Sequence, residues 1–391
     1  MSDPCRLLLG ALRSDRPPDI WISELTKERV DWDELVVTAL VLGLGPLLHD
    51  RLSSLDSLRS IVPPLALAKL AVNRKAHAAR HAVIAGQLSQ VLAEARSHRI
   101  PVIALKGVVL AERVYRDPAL RPMNDIDLLV EPQHLSALER ALESLGYRGK
   151  RRDPTVGPGV VKHTSTFLRD GAAPRTKNPY LSTAGECMIE PHQSLEERWF
   201  GLSVDITPGL FERAVEVTLA GQPCLSLCPE DLLLHLVVHF SFNLIMGQPT
   251  MVQLADLPIV IERAPPDWSR FVDRAIERGA AAHAACALTL ANKLLGARAP
   301  EEVLSRLERH TSRALRRRIP ALDLEHVLRR TQQKPLNNLR DRLQRGLADR
   351  AEAARWAPGL RGRLRVWRTA VAFRRTDTWQ KLWGSARAGA R

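Results

Sequence analysis

The sequence predicts an α+β protein: a small mixed β-sheet core flanked by N-terminal and C-terminal α-helical regions. Three observations predict it. Between residues 20 and 100, apolar side chains recur every three or four positions. From residue 100 to 190 that texture gives way to short runs with β-branched residues, separated by short helical stretches. From Pro229 the helical spacing returns. With 391 residues, 45% apolar and 26% charged, the chain has a globular composition and length for two or three units. The units expected are a helical region over 1–99, an α/β core over 100–228, a helical bundle packing on it over 229–300, and a basic Arg- and Trp-rich helical tail over 301–391.

The elements follow in order. Trp21 to Leu48 reads as helical, with the apolar stretch Leu35–Leu48 as one buried helix. That stretch is shorter than the about 20 residues that cross a bilayer. Pro63-Pro64 interrupts, and Leu65 to His98 resumes as a long Ala-rich helix. Ile100 to Leu105 is a strand ended by Lys106-Gly107, and Val108 to Tyr115 is a helix closed by Arg116-Asp117-Pro118. Asp125 to Val130 is a second strand. Pro132 opens a helix through Leu145, with Gly146 as its cap. Tyr147–Arg151, Val160–Arg169 and Cys187–Glu190 are further strands, and 170–185 is a Gly-, Pro- and Ser-rich loop. Pro229-Glu230-Asp231 starts a helix, and others fit Met251–Glu262, Asp267–Arg278 and Ala280–Leu295.

The segment with the most chemistry is Arg121-Pro122-Met123-Asn124-Asp125-Ile126-Asp127-Leu128-Leu129-Val130. Side chains alternate along a strand, so Asp125 and Asp127 share one face while Ile126, Leu128 and Val130 share the buried other. Two carboxylates with backbones about 6–7 Å apart repel. A hard divalent cation such as magnesium removes that penalty and accepts substrate phosphate as well. The same Asp-x-Asp also fits a plain turn at a solvated strand edge. Lys106-Gly107, at a strand end and a helix start, suits an approaching phosphate and adds weight to the cation reading. A third carboxylate is expected from a neighbouring strand, and Glu190 in Met188-Ile189-Glu190-Pro191-His192 is the candidate, or else a surface residue beside a turn. His192 and His163 either orient a carboxylate or touch substrate, or are ordinary buried or exposed histidines.

Taken together, Leu105-Lys106-Gly107, Tyr115-Arg116-Asp117-Pro118, Arg121-Pro122-Met123 and Asp125-Ile126-Asp127-Leu128-Leu129-Val130 resemble the uncharacterised nucleotidyltransferase family of the DNA polymerase β-like superfamily. The resemblance spans about residues 25–290. It implies that Asp125, Asp127 and Glu190 hold magnesium or manganese and are the catalytic residues. Lys106, Gly107, Arg121 and His192 would lie at the nucleotide, with Arg121 either positioning phosphate or fixing its loop. It further implies transfer of a nucleoside monophosphate from a nucleoside triphosphate such as ATP to an acceptor (a peptide, sugar, small molecule or RNA end), in natural-product or polysaccharide biosynthesis. The alternative is a non-catalytic scaffold that keeps the nucleotide fold. Two positions depart from the superfamily pattern: Val108 follows Gly107 where a Ser or Gly is usual, and Pro191 follows Glu190 where an apolar strand residue is usual.

The rest of the chain bounds the reading. His235 and His239 lie four apart on an apolar helix stripe without the Glu of a zinc-protease motif, and fit core histidines with Asp256 as a hydrogen-bond partner. The five cysteines are scattered and odd in number, which predicts free thiols. With no signal peptide and no membrane span, a cytoplasmic location is expected. All of the net charge of +14 sits beyond residue 300, almost entirely as Arg. With Trp367, Phe373, Trp379 and Trp383 interleaved, that tail fits either a nucleic-acid or anionic-surface partner or a solvated helical face.

Overall fold

A computed structural model describes residues 3–27, 29–58, 60–151, 165–169, 180, 185–331 and 339–369. His163, the start of the Val160–Arg169 segment, most of the 170–185 loop, and Phe373, Trp379 and Trp383 lie outside the described residues.

Nine strands are described: β1 (Ile103–Ala104), β2 (Asp125–Leu129), β3 (Arg148–Arg151), β4 (Ser165–Leu168), β5 (Met188–His192), β6 (Glu196–Trp199), β7 (Leu202–Asp205), β8 (Val215–Leu219) and β9 (Gln222–Ser226). Seven form one mixed sheet in the order β3-β4-β5-β2-β1-β9-β8, and β6 and β7 form a separate hairpin. β2 runs parallel to β5 and antiparallel to β1, and β1 runs parallel to β9. The fold is therefore α+β with a mixed sheet, as the sequence predicts.

The sheet separates two apolar cores. Ile126, Leu128 and Val130 pack with Ile84, Leu88 and Val91 of the long helix Pro64–Ser97 and with Leu138 and Leu142 of the helix Leu135–Ser144. Ile103, Leu105 and Leu129 belong instead to a larger core shared with the helices Pro229–Met246, Met251–Arg263 and Ala281–Leu295. The face that carries Asp125 and Asp127 is the one turned toward this helical bundle. Each fully buried Leu or Ile in these cores contributes about 1.5–3 kcal/mol.

Several elements differ from the sequence expectation. The Leu35–Leu48 stretch is two helices, Trp32–Val41 and Gly45–Ser53. Gly43 sits between them at φ 73°, where an added Cβ would lie 2.7 Å from Val252 Cγ2. β1 is shorter than Ile100–Leu105, because the Ile100 N–H still closes the preceding helix on Ala95 (2.9 Å) and Pro101 has no N–H to give. The helix after Gly107 passes from α geometry at Lys106–Val109 to a π turn at Leu110–Val114. The hairpins β6–β7 and β8–β9 were not expected. Their two-residue turns, Phe200-Gly201 and Ala220-Gly221, hold both residues at positive φ. That is the type I′ requirement, met here without the Asn-Gly or Asp-Gly that usually announces it.

The front of the basic region is packed. Within the helix Leu339–Trp356, Trp356 is buried and stacks on His283 at 5.1 Å between centroids. His283 stacks in turn on Phe242 at 4.7 Å. Glu352 accepts from Arg318 (2.9 Å) and Arg355 (2.7 Å), and the Arg350 guanidinium lies 4.3 Å over the Phe200 ring of the β6–β7 hairpin. No helix among the described residues is long and apolar enough to cross a membrane. The five cysteines are free thiols.

Candidate active site

Register places the acidic residues. In the parallel β2–β5 pair, Asp125 stands opposite Met188, Asp127 opposite Glu190, and Leu129 opposite His192. Directly opposed side chains share a face, so Asp125, Asp127, Glu190 and His192 all project toward the helical bundle. Pro191 does not break this pairing. His192 accepts from the Val130 N–H at 3.0 Å, so Glu190 and His192 direct their backbone groups at β2. By alternation the donorless nitrogen of Pro191 faces the β4 side, where it costs no bond to β2.

The long helix holds both strand entrances. Arg80 Nε donates to the Met123 carbonyl just before β2 (2.9 Å). Gln87 Nε2 donates to the Cys187 carbonyl just before β5 (3.0 Å), and Gln87 Oε1 accepts from the Cys187 N–H (2.9 Å). Gln87 also donates to Tyr147 Oη at 3.1 Å. Sequence reasoning missed Arg80 and Gln87. The available signal was their position, a buried polar residue on the same stripe as Ile84, Leu88 and Val91.

Asp127 is the centre of the constellation. It is 3% exposed, and its Oδ1 lies 2.7 Å from His192 Nε2 while its Oδ2 lies 3.3 Å from Lys106 Nζ. Burial alone would raise its carboxyl, but Lys106 and the His192 hydrogen bond hold it well below the usual carboxylate range. Burial and then the neighbouring Asp127 charge raise the carboxyl of Asp125, with Lys106, Arg121 and His192 in opposition. Burial by itself would lower the Lys106 ammonium, yet Asp127, Asp125, Glu197 and Glu190 outweigh it and keep it charged. Lys106 takes φ 37°, a left-handed conformation uncommon for a non-glycine residue.

Asp127, Glu190 and His192 each offer a buried ligand atom, and these atoms lie within 4.8 Å of one another. A buried set of two carboxylates and an imidazole at that spacing fits a divalent cation. Asp125, on the same strand face, stands outside this set.

Gly107 and Arg121, also expected at the nucleotide, lie against one another. Gly107 is buried, and a Cβ there would meet Arg121 Nη1 at 3.1 Å and Met123 Sδ at 3.3 Å. Arg121 forms a bidentate pair with fully buried Asp256, Nε–Oδ1 and Nη2–Oδ2 both 2.8 Å, and Tyr115 Oη donates to the same Oδ1 at 2.8 Å. The pair ties the segment before β2 to the helix Met251–Arg263. Asp256 was expected to bond His235 or His239 and does neither. His239 Nδ1 pairs with Glu197 Oε1 at 2.9 Å, and its Nε2 lies 3.2 Å from Asn243 Nδ2. Burial holds the His235 imidazole neutral, well below its ordinary pKa, and Lys106 adds to that effect.

The profile of a family described as uncharacterised nucleotidyltransferase matches residues 28–296. No curated protein matches the chain. Among solved structures, a solution structure of the antibiotic-resistance factor ANT(2'')-Ia is similar at 14% identity and a TM-score of 0.35, covering 50% of this chain and 91% of that one.

Proposed function

Because the chain belongs to the uncharacterised nucleotidyltransferase family, we propose that it transfers a nucleoside monophosphate from a nucleoside triphosphate to an acceptor hydroxyl, with release of pyrophosphate. The observation that carries this reading is the buried Asp127–Glu190–His192 set on one sheet face, with the Lys106 ammonium beside it. Asp127, Glu190 and His192 would hold a divalent cation, and Asp125 on the same strand face would reach cation or phosphate. When bound, such a cation neutralises phosphate charge and acidifies an acceptor hydroxyl. Lys106 supplies positive charge at the end of β1, where it balances Asp127 in the free protein and is available to a phosphate oxygen once a cation takes up that carboxylate. Arg121, anchored on Asp256, fixes the approach to β2 and sets where the two aspartates point. The surrounding helical bundle shields the site from water, which strengthens each of these charge interactions.

The test is incubation of purified protein and a cell extract with labelled triphosphates and magnesium or manganese, then identification of the labelled product. Wild type is expected to label an acceptor and release pyrophosphate. Asp127→Asn is expected to abolish labelling while keeping its far-UV spectrum, and full labelling by that variant would reject the reading. A scaffold role is the second reading. It is favoured by Val108, buried after Gly107 where it offers no hydroxyl to a phosphate. Calorimetry showing no triphosphate binding at millimolar ligand with either cation would select it.

A further inference from the structure

The donor set of Asp127, Glu190 and His192 narrows the chemical class of cation. Resting on that functional reading, we propose that His192 ligates the cation directly through Nε2, and that this makes the centre selective for divalent first-row transition ions such as Mn2+ over Mg2+.

Three observations carry the inference. First, His192 is two residues beyond Glu190 on β5, so its ring projects from the same face, and it is only 3% exposed. Second, its Nε2 lies 2.7 Å from Asp127 Oδ1. Two neighbouring ligands of an octahedral ion stand about 3.0 Å apart when each is about 2.1 Å from the metal. Separation of the two atoms by a few tenths of an ångström therefore converts the contact into a chelating pair. Third, the three ligand atoms that converge are from Asp127, Glu190 and His192, and Asp125 is not among them. The centre thus replaces one oxygen of an all-carboxylate set with an imidazole nitrogen.

That replacement has a chemical consequence. Mg2+ prefers oxygen donors, keeps several waters and gives them up reluctantly. Transition ions accept imidazole readily, with affinity rising along the first row from Mn2+. Lys106 sharpens the contrast. Its ammonium, 3.3 Å from Asp127 Oδ2, competes for the carboxylate with any incoming cation. An ion that gains only carboxylate oxygens gains least against that competitor, whereas one that also binds nitrogen has a second source of affinity.

The experiment uses full-length protein stripped with a chelator. Mn2+ and Mg2+ are titrated separately by calorimetry, and the Mn2+ form is examined by pulsed electron paramagnetic resonance for coupling to a directly bound nitrogen. Wild type is expected to bind Mn2+ at least about tenfold tighter than Mg2+ and to show the nitrogen coupling. His192→Gln, which keeps a hydrogen-bonding side chain beside Asp127, is expected to lose the coupling and about tenfold or more of Mn2+ affinity, with little change for Mg2+. The wild-type spectrum needs no variant, so a misfolded His192→Gln would not spoil the test. Bound Mn2+ without nitrogen coupling, or equal affinity for the two ions, overturns the inference and leaves the nucleotidyltransferase reading standing if turnover persists. Failure to bind either ion, with no turnover in either, overturns both.

Discussion

Replacing Asp256 distinguishes an anchoring Arg121 from one that contacts substrate. The Asp256 carboxylate is fully buried and receives three hydrogen bonds of 2.8 Å, two from Arg121 and one from Tyr115. Asp256→Ala leaves a guanidinium that is 9% exposed without its counter-charge. Stranding a buried charge in this way costs about 3–5 kcal/mol, a large part of the about 5–15 kcal/mol that holds a typical domain folded. Asp256→Asn keeps an acceptor for Tyr115 but removes the charge, and should cost about 1.5–3 kcal/mol. The double variant Arg121→Met with Asp256→Leu removes both charges and should recover most of the loss. Urea denaturation followed by fluorescence at fixed pH and ionic strength reads all three. An Asp256→Ala loss below about 1 kcal/mol would refute the anchoring argument. So would an Arg121→Met variant of unchanged stability whose only defect is a raised KM for the triphosphate.

Other outcomes follow from the same geometry. Gln87→Leu leaves the Cys187 N–H and carbonyl without their buried partner, at about 1–3 kcal/mol, and should lower turnover by loosening the entrance to β5; a denaturation midpoint identical to wild type would contradict this. Gly107→Ala forces the Arg121 guanidinium or Met123 to shift, since a Cβ there lies 3.1 Å from Arg121 Nη1, and should depress kcat more than it raises the triphosphate KM; unchanged steady-state kinetics would refute it. The third concerns acid. Burial lowers the His283 imidazole to about 3 in the fold, against about 6.5 unfolded, so the unfolded chain takes up the proton first as pH falls. Stability that is full well above pH 6.5 should therefore decline toward pH 3, with about 2 kcal/mol lost by pH 5 from this group alone. His77, lowered to about 4 by burial, steepens the same slope. His283→Phe, which can keep the stack between Phe242 and Trp356, should flatten the decline measured by denaturation at stepped pH; an unchanged slope would refute the assignment.

Legibility followed the range over which the relevant physics acts. The long helix Pro64–Ser97 and the three helices between Pro229 and Leu295 were readable because periodic apolar stripes and proline starts are local signals. Leu35–Leu48 looked continuous because composition there says nothing of the left-handed turn at Gly43. The two hairpins after residue 195 were invisible for a related reason. Phe200 and Ala220 adopt positive φ because the strands on either side demand it, and neither residue type advertises that conformation. Pro191 is the converse case. A proline in a central strand argues against pairing only on the side its nitrogen faces, and that side was decided by the β2–β5 register.

The candidate site shows the same division. Alternation along a strand was enough to put Asp125 and Asp127 on one face, and the Glu190–His192 pair on another strand obeyed the same rule. Which of these four converge on a single point is a matter of register between two strands that are 63 residues apart in the chain at Asp127 and Glu190. No local pattern carries that information: the sequence named Asp125, Asp127 and Glu190 for the cation and left His192 to orient a carboxylate or touch substrate, and the register brings a ligand atom of His192 within 4.8 Å of those of Asp127 and Glu190. Nor could a local pattern anticipate that Lys106 would turn its ammonium onto Asp127, because that contact depends on a backbone conformation most residues avoid. A buried carboxylate must have its charge balanced in every state of the protein. Beside Asp127, Lys106 supplies positive charge and His192 a hydrogen-bond partner, and on the proposed reading a cation would compete with both for that carboxylate. On that reading, the two residues that touch Asp127 are the ones that would set how strongly, and with what chemical preference, a cation binds.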